Sequence, residues 1–261
     1  MSLLNLPTFV SVLLAIVVSS AIAVVLHFVI HPLWAGDLTE ETKKTADHVA
    51  TRIGVVYAVV IGMMFANVRI EHVQMIQAIE SEASALTRLY AAIERDEGKQ
   101  SEEVRKSLVE YIRFIVEEQW PALRAARAQP SDRHLLGSHQ LKPAWDYVLR
   151  AEQDAGNSDL RMLLDQVEHH RILRLFDIKG SLLPLFWYIA ALGYVASLVP
   201  LCVYPPSVRR SSLIALYSSL VSVVLLGIFI LSHPYSEAAG VDPVVYKSML
   251  EAAGSGLNHL R

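Results

Sequence analysis

Charge is laid along this chain in blocks, and that distribution constrains the fold more than any motif. Residues 1–36, 53–68, 183–208 and 213–232 contain no Asp, Glu, Lys or Arg, and the charged residues crowd between them. A helix needs about 20 apolar residues, within roughly 17–25, to cross a bilayer core. Leu6–Ile30, Ile53–Val68, Leu182–Tyr204 and Leu213–Ser232 are therefore read as four spans. A soluble bundle would need a polar face on each, and none has one. The rival reading of the first, a cleaved signal peptide, wants a basic start and a shorter apolar core. Here the first Lys is Lys43 and the run is long, so a retained span is expected.

The second run is short, but Arg52 and Arg69 bracket it, and long basic side chains snorkel to the headgroups. Within it Gly54, Ala58, Gly62 and Ala66 recur at i, i+4. Small residues in that register let two membrane helices approach closely, which makes them helix-packing candidates. Pro184 sits in the first turn of the third run, where a missing N–H is tolerated, and Pro200 is placed to bend its far end. The link Pro205–Arg210 is too short to cross back, so it is a tight turn.

Four spans put both termini and the long central segment on one side. Arg69, Arg88, Arg171, Arg174 and Lys179 face Lys43, Lys44, Arg52, Arg209 and Arg210 across the membrane. The positive-inside rule therefore does not choose an orientation. A cytosolic central domain is favoured, because translocating so many charged residues after an uncleaved span is unusual.

From Ile53 no helix breaker appears until Asp96-Glu97-Gly98, which predicts one helix of about 60 Å. Past the membrane, Ile76, Ile79, Ala83, Leu86, Tyr90 and Ile93 keep a 3-4 rhythm, an a/d seam. Traced backward the rhythm passes through His72, Arg69, Phe65, Gly62, Ala58 and Val55. One reading makes that face a packing seam with Arg69 snorkelling. The other makes it a pore wall, with Val59, Gly62, Phe65 and Ala66 as an apolar neck and Asn67, Arg69, Glu71 and His72 at the mouth. Beyond it, Ser101 reads as an N-cap before an amphipathic helix that Trp120-Pro121 kinks or breaks, and two further helices lead to the third span. The chain thus divides into 1–68 (spans one and two), 69–181 (helical domain), 182–232 (spans three and four) and 233–261 (C-terminal tail).

Chemistry is sparse. The net charge of −3 excludes a nucleic-acid footprint. Cys202 is alone, so neither a disulfide nor a cysteine metal site is possible within the chain. His27 and His31 share a helix face but have no third ligand, and no metal, cofactor or enzyme motif is present.

A further set of residues carries a resemblance. Gly62–Asn67, Glu82-Ala83, Leu89-Tyr90, Tyr111, Glu118 with Trp120-Pro121, Arg171, Arg174-Leu175, Pro184, Trp187, Pro234-Tyr235 and Asp242-Pro243 follow one another in an order similar to the bestrophin-like family of bacterial membrane proteins. The family usually has an acid directly before Trp-Pro, where this chain has Gln119. Its late Pro-aromatic pair is usually flanked by an acid and a Gly, where this chain has His233 and Ser236. The resemblance implies an all-α, four-span protein with a helical cytosolic domain between spans two and three. It further implies a pentamer in the bacterial inner membrane, with both termini cytosolic and the second span lining a pore for inorganic ions. Glu82, Trp120, Pro121, Arg171, Arg174, Pro184 and Trp187 are its expected structural residues. The expected function is a homo-oligomeric ion channel or pore, with a non-conducting membrane scaffold as the alternative. Its expected partners are membrane lipid, its own copies and ions.

Overall fold

The computed structural model describes residues 7–34, 39–95, 99–125, 138–155, 158–176 and 184–258. Every regular element among them is a helix. The helices are α1 (Thr8–Ile30), α2 (Glu40–Glu94), α3 (Lys99–Phe114), α4 (Trp120–Arg124), α5 (Ser138–Ala155), α6 (Ser158–Phe176), α7 (Pro184–Leu198), α8 (Val208–Leu231) and α9 (Val244–Asn258). Four are long and apolar enough to cross a membrane: Thr8–Leu33, Glu40–Glu94, Pro184–Val203 and Val208–Leu231. The breaker expected at 96–98 lies outside the described residues.

The chain forms two compact units, residues 1–71 with 181–234 and residues 72–180 with 235–261, and α2 contributes to both. In the first, α1 and α8 run antiparallel and are joined by hydroxyls. Ser19 Oγ donates to Ser222 Oγ at 3.0 Å, Ser20 and Ser219 share a bond of 2.8 Å, and Ser218 Oγ donates to Ser19 O at 2.8 Å. Lipid tails supply no hydrophobic force between helices, so such bonds and close packing hold membrane helices together. Tyr57, Ile61 and Val68 of α2 pack with Phe186 and Ala190 of α7 and Ile228 of α8. Tyr57 lies so close to Gly193 that a Cβ there would run into its ring, and its hydroxyl donates to Ala190 O at 3.0 Å. Pro200 falls in a 3-10 segment, Val199–Val203, that ends the third span. His27 Nε2 and His31 Nδ1 bond the carbonyls of Tyr204 and Cys202 at 3.0 and 3.2 Å, so the pair ties α1 to that segment.

The second unit is a helical bundle around α2. Ile79, Ala83, Leu86 and Ile93 of the a/d seam are buried against Leu108, Tyr111 and Ile115, with Leu164 and Val167 of α6 in the same core. Helices α2 and α6 are antiparallel, since Arg88 donates to Gln166 while Arg174 pairs with Glu82.

Three local expectations need correction. Helix α2 starts at Glu40, thirteen positions before Ile53, because Thr39 caps it through Thr42 N and two acids occupy its first turn. At 55 residues it is about 80 Å long. Ser101 lies inside α3, whose first residue is Lys99, and so is not its N-cap. Trp120-Pro121 does not break the helix either. A π-helical turn, Ile115–Gln119, precedes it, with Trp120 N–H bonded to Ile115 O. In a regular helix the Pro121 ring would collide with the carbonyl of Glu117, and the widened turn relieves that.

The C-terminal segment, read as a tail, carries α9, and Tyr235, Val241 and Tyr246 enter the bundle core.

Candidate functional site

The side of α2 that the described residues leave exposed is the first candidate. Val59 and Met63 are 56% and 70% exposed, and Ala58, Gly62, Ala66, Asn67 and Arg69 are exposed with them. A Cβ built at Gly54 or Gly62 would meet nothing within 4 Å among the described residues, so no described helix packs closely on the stripe at those two positions. Phe65 lies at the flank, its ring 3.6 Å from where a Cβ on Gly227 would stand. Glu71 and His72 are half-buried, each with one buried atom (Oε2 and Nδ1) that has no hydrogen-bond partner. Of the eight neck and mouth candidates, Val59, Gly62, Ala66 and Arg69 thus share one exposed side, Asn67 is exposed beyond its edge, Phe65 is exposed at the flank, and Glu71 and His72 are half-buried.

The seam traced as one face is in fact two. A heptad rhythm of 3.5 residues per turn drifts by about 20° per heptad on a straight helix of 3.6. Val55 and Tyr90 are five heptads apart, so the rhythm moves through roughly 100° between them. In the second unit Ile79, Ala83, Leu86 and Ile93 of that rhythm are buried in the bundle core, while in the first unit Val55, Ala58 and Gly62 are exposed.

A second cluster lies inside the bundle, where the resemblance placed Glu82, Trp120, Arg171 and Arg174. Glu82 and Arg174 are both fully buried. Arg174 Nε donates to Glu82 Oε2 at 2.7 Å and Nη2 to Oε1 at 3.3 Å, a side-on fork. Tyr111 and Tyr246 donate their hydroxyls to the two carboxylate oxygens at 2.7 and 2.9 Å. Burial and the Glu82 charge push both phenols well above their usual pKa, so they stay neutral donors. Burial is the largest single influence on Arg174 and disfavours its charge, but Glu82, Tyr246 and Tyr111 together outweigh it and Arg174 remains a cation. The third edge of the guanidinium reaches Gln119 Oε1 at 2.7 Å through Nη1. Glu118, the nearest acid before Trp-Pro, is exposed. Gln119 therefore fills the acid's usual place, and Arg174 is met by one carboxylate and one neutral amide.

The cluster joins α2, α3, α6 and α9 with the π-helical turn. Tyr235 donates to the Arg174 carbonyl and its ring stands edge-on to Trp120 at 5.4 Å. Arg171 has one ion pair, to Glu168 at 3.4 Å, and its Nε and Nη1 are buried without a partner. Arg124 holds Asp242 at 2.6 Å, just before α9. In the membrane unit Pro184 is the first residue of α7, and Trp187 stands edge-on to Phe229 at 5.8 Å. Sequence reasoning missed Gln119 and Tyr246, whose partners lie 55 and 164 positions away, and the serine contacts of α1 and α8. No local pattern marks any of them. Among the described residues no group of three His, Cys, Asp or Glu is placed to hold a metal.

A family model described as the bestrophin-like domain matches residues 17–246. No curated protein and no solved structure matches the chain.

Proposed function

The chain belongs to the bestrophin-like family, a channel-like class of membrane protein, and on that premise we propose that it is a homo-oligomeric ion channel whose α2 lines the conduction path. One observation carries this reading: Val59, Gly62, Ala66 and Arg69 of α2 are exposed, with no described helix of their own unit packed over them. A charge there near the bilayer core is costly against lipid, so it faces water, headgroups or a partner. Copies arranged around an axis, five by the family resemblance, would give an apolar neck at Val59, Gly62 and Ala66 with Asn67 and Arg69 at its mouth. Hydrophobic necks gate by dewetting, and charged rings select ions. The reading is non-enzymatic and needs no cofactor. It places the protein in the bacterial inner membrane, with residues 69–180 and both termini in the cytosol.

The small-residue stripe favours a second reading. Gly54, Ala58, Gly62 and Ala66 also suit tight helix-to-helix contact between copies, which would close the path and leave a scaffold. Reconstitution into bilayers, with ion flux and particle symmetry read on one sample, separates the two. Arg69→Glu shifts the reversal potential toward cations if the side chain faces the axis. An absence of flux for every common ion, across pH and voltage, supports the scaffold. For orientation, an impermeant thiol reagent on intact cells leaves a Glu110→Cys variant unlabelled if the bundle is cytosolic.

A further inference from the structure

We infer that the cavity between α2, α3 and α9 of the helical bundle is a binding site for a small monocarboxylate with an apolar body, its carboxylate held by Arg105. The cavity lies wholly within the second unit, and its ligand is a matter separate from conduction.

Its volume is about 590 Å³, within the roughly 300–1,000 Å³ of small-molecule pockets. Its polarity is graded along its length. Glu94 pairs with Arg105 while Glu82 accepts from Tyr111, so α2 and α3 run antiparallel and the end of α2 lies beside the start of α3. Glu94, Glu102, Arg105 and Lys106 line that end. Leu86, on α2, and Ile112, on α3, line the cavity about 11 Å deeper, at 1.5 Å per helical residue, and Leu108 and Val109 come between. The third wall is α9, through Met249, Ala252 and Ala253. The two alanines leave room, and an unbranched methionine adapts its shape to what it meets.

The charges at the polar end are not equally satisfied. Lys106 and Glu102, one turn apart on α3, hold each other at 2.8 Å. Arg105 meets Glu94 only at 3.5 Å, the outer limit of a hydrogen bond, and its Nε is buried with no partner among the described residues. A buried donor without a partner costs free energy, which an acceptor brought by a ligand recovers. A planar guanidinium matches the two oxygens of a carboxylate, and charge-assisted bonds of that kind are the strong ones. A phosphate monoester would bring nearly two negative charges beside Glu94 and Glu102, whereas a carboxylate brings one. Glu94 is largely exposed, so solvent screens that single charge from it. The walls set the rest of the ligand. Leu86, Leu108, Val109, Ile112 and Met249 offer no hydrogen-bonding side chain, so the body that lies along them is apolar.

The test is equilibrium dialysis of 2-naphthoate, and of its uncharged counterpart 2-naphthalenemethanol, against the full chain in phosphatidylcholine nanodiscs, with empty nanodiscs subtracted. The parent should bind naphthoate saturably, at one site per chain, and more tightly than the alcohol. Arg105→Gln should weaken naphthoate about tenfold or more, the loss of a charge-assisted bond, and leave the alcohol unchanged. A general loss of fold would weaken both. Ala253→Trp fills the cavity and should abolish binding of both. If circular dichroism shows that this variant does not fold, Thr87→Trp, at an exposed position lining the same cavity, makes the same test. A parent with no saturable uptake overturns the inference. So does naphthoate binding that Arg105→Gln leaves intact, since the carboxylate would then lie elsewhere. Binding that survives the tryptophan puts the ligand outside the cavity and overturns it as well.

Discussion

Replacing Arg174 by Met should unfold the helical bundle more readily than any single apolar truncation in its core. The side chain is fully buried and supplies two of the four hydrogen bonds that Glu82 receives. Without it the carboxylate stays buried with only the two tyrosine hydroxyls and no counter-charge. Hydrogen bonds to a charged group contribute about 1.5–3 kcal/mol each, and breaking a buried pair by removing one partner costs about 3–5 kcal/mol. Against a total of roughly 5–15 kcal/mol for a typical domain, that is a large share. For a unit of this size it corresponds to a fall in Tm of roughly 10–20 °C. The double variant Glu82→Met/Arg174→Met removes both charges and should recover most of the loss, because apolar replacements of a buried pair are often neutral or stabilising. The assay is thermal unfolding in one mild detergent at one scan rate, followed by tryptophan fluorescence and near-ultraviolet circular dichroism. The reasoning fails if Arg174→Met melts within a few degrees of the parent. It also fails if the two single losses simply add in the double variant, since a buried pair must be strongly coupled.

Other expectations follow from single contacts. Gly193→Ala should cost about 1–3 kcal/mol, because its Cβ would run into the Tyr57 ring. Tyr57→Ala in the same chain should remove that clash, which a melting comparison of single and double variants would register. Ser218→Ala removes a donor to Ser19 O and should cost about 0.6 kcal/mol, measurable in a detergent melt. Burial, and then neighbouring His169, hold His170 below its ordinary pKa, with Glu82 opposing them. The unfolded chain then binds the proton more readily, so stability is full above about pH 6.5 and declines as pH falls through that value toward the lower folded one. His170→Gln should flatten a melting curve measured from pH 7.5 to 5.

The all-α architecture and the membrane-capable helices were legible because each depends on short-range sequence statistics. A charge-free run long enough to span a bilayer, or an apolar rhythm near 3.6, declares itself within one window. Membership of the bestrophin-like family was legible for a related reason, since motifs keep their order along a chain. The direction in which each face of α2 looks could not be read this way. The heptad rhythm is continuous from Val55 to Ile93, but the small mismatch between 3.5 and 3.6 accumulates over five heptads. Only the position of the neighbouring helices decides that Ile79 and Leu86 close the bundle while Val59 and Gly62 stand uncovered. The same holds for Arg174. Sequence spacing allowed it to be an ordinary flanking charge, and its burial depends on Glu82, Gln119, Tyr111 and Tyr246 converging from distant parts of the chain. Local composition fixes which segments are helices, whereas desolvation and hydrogen-bond partners belong to the packed arrangement and exist only once it has formed.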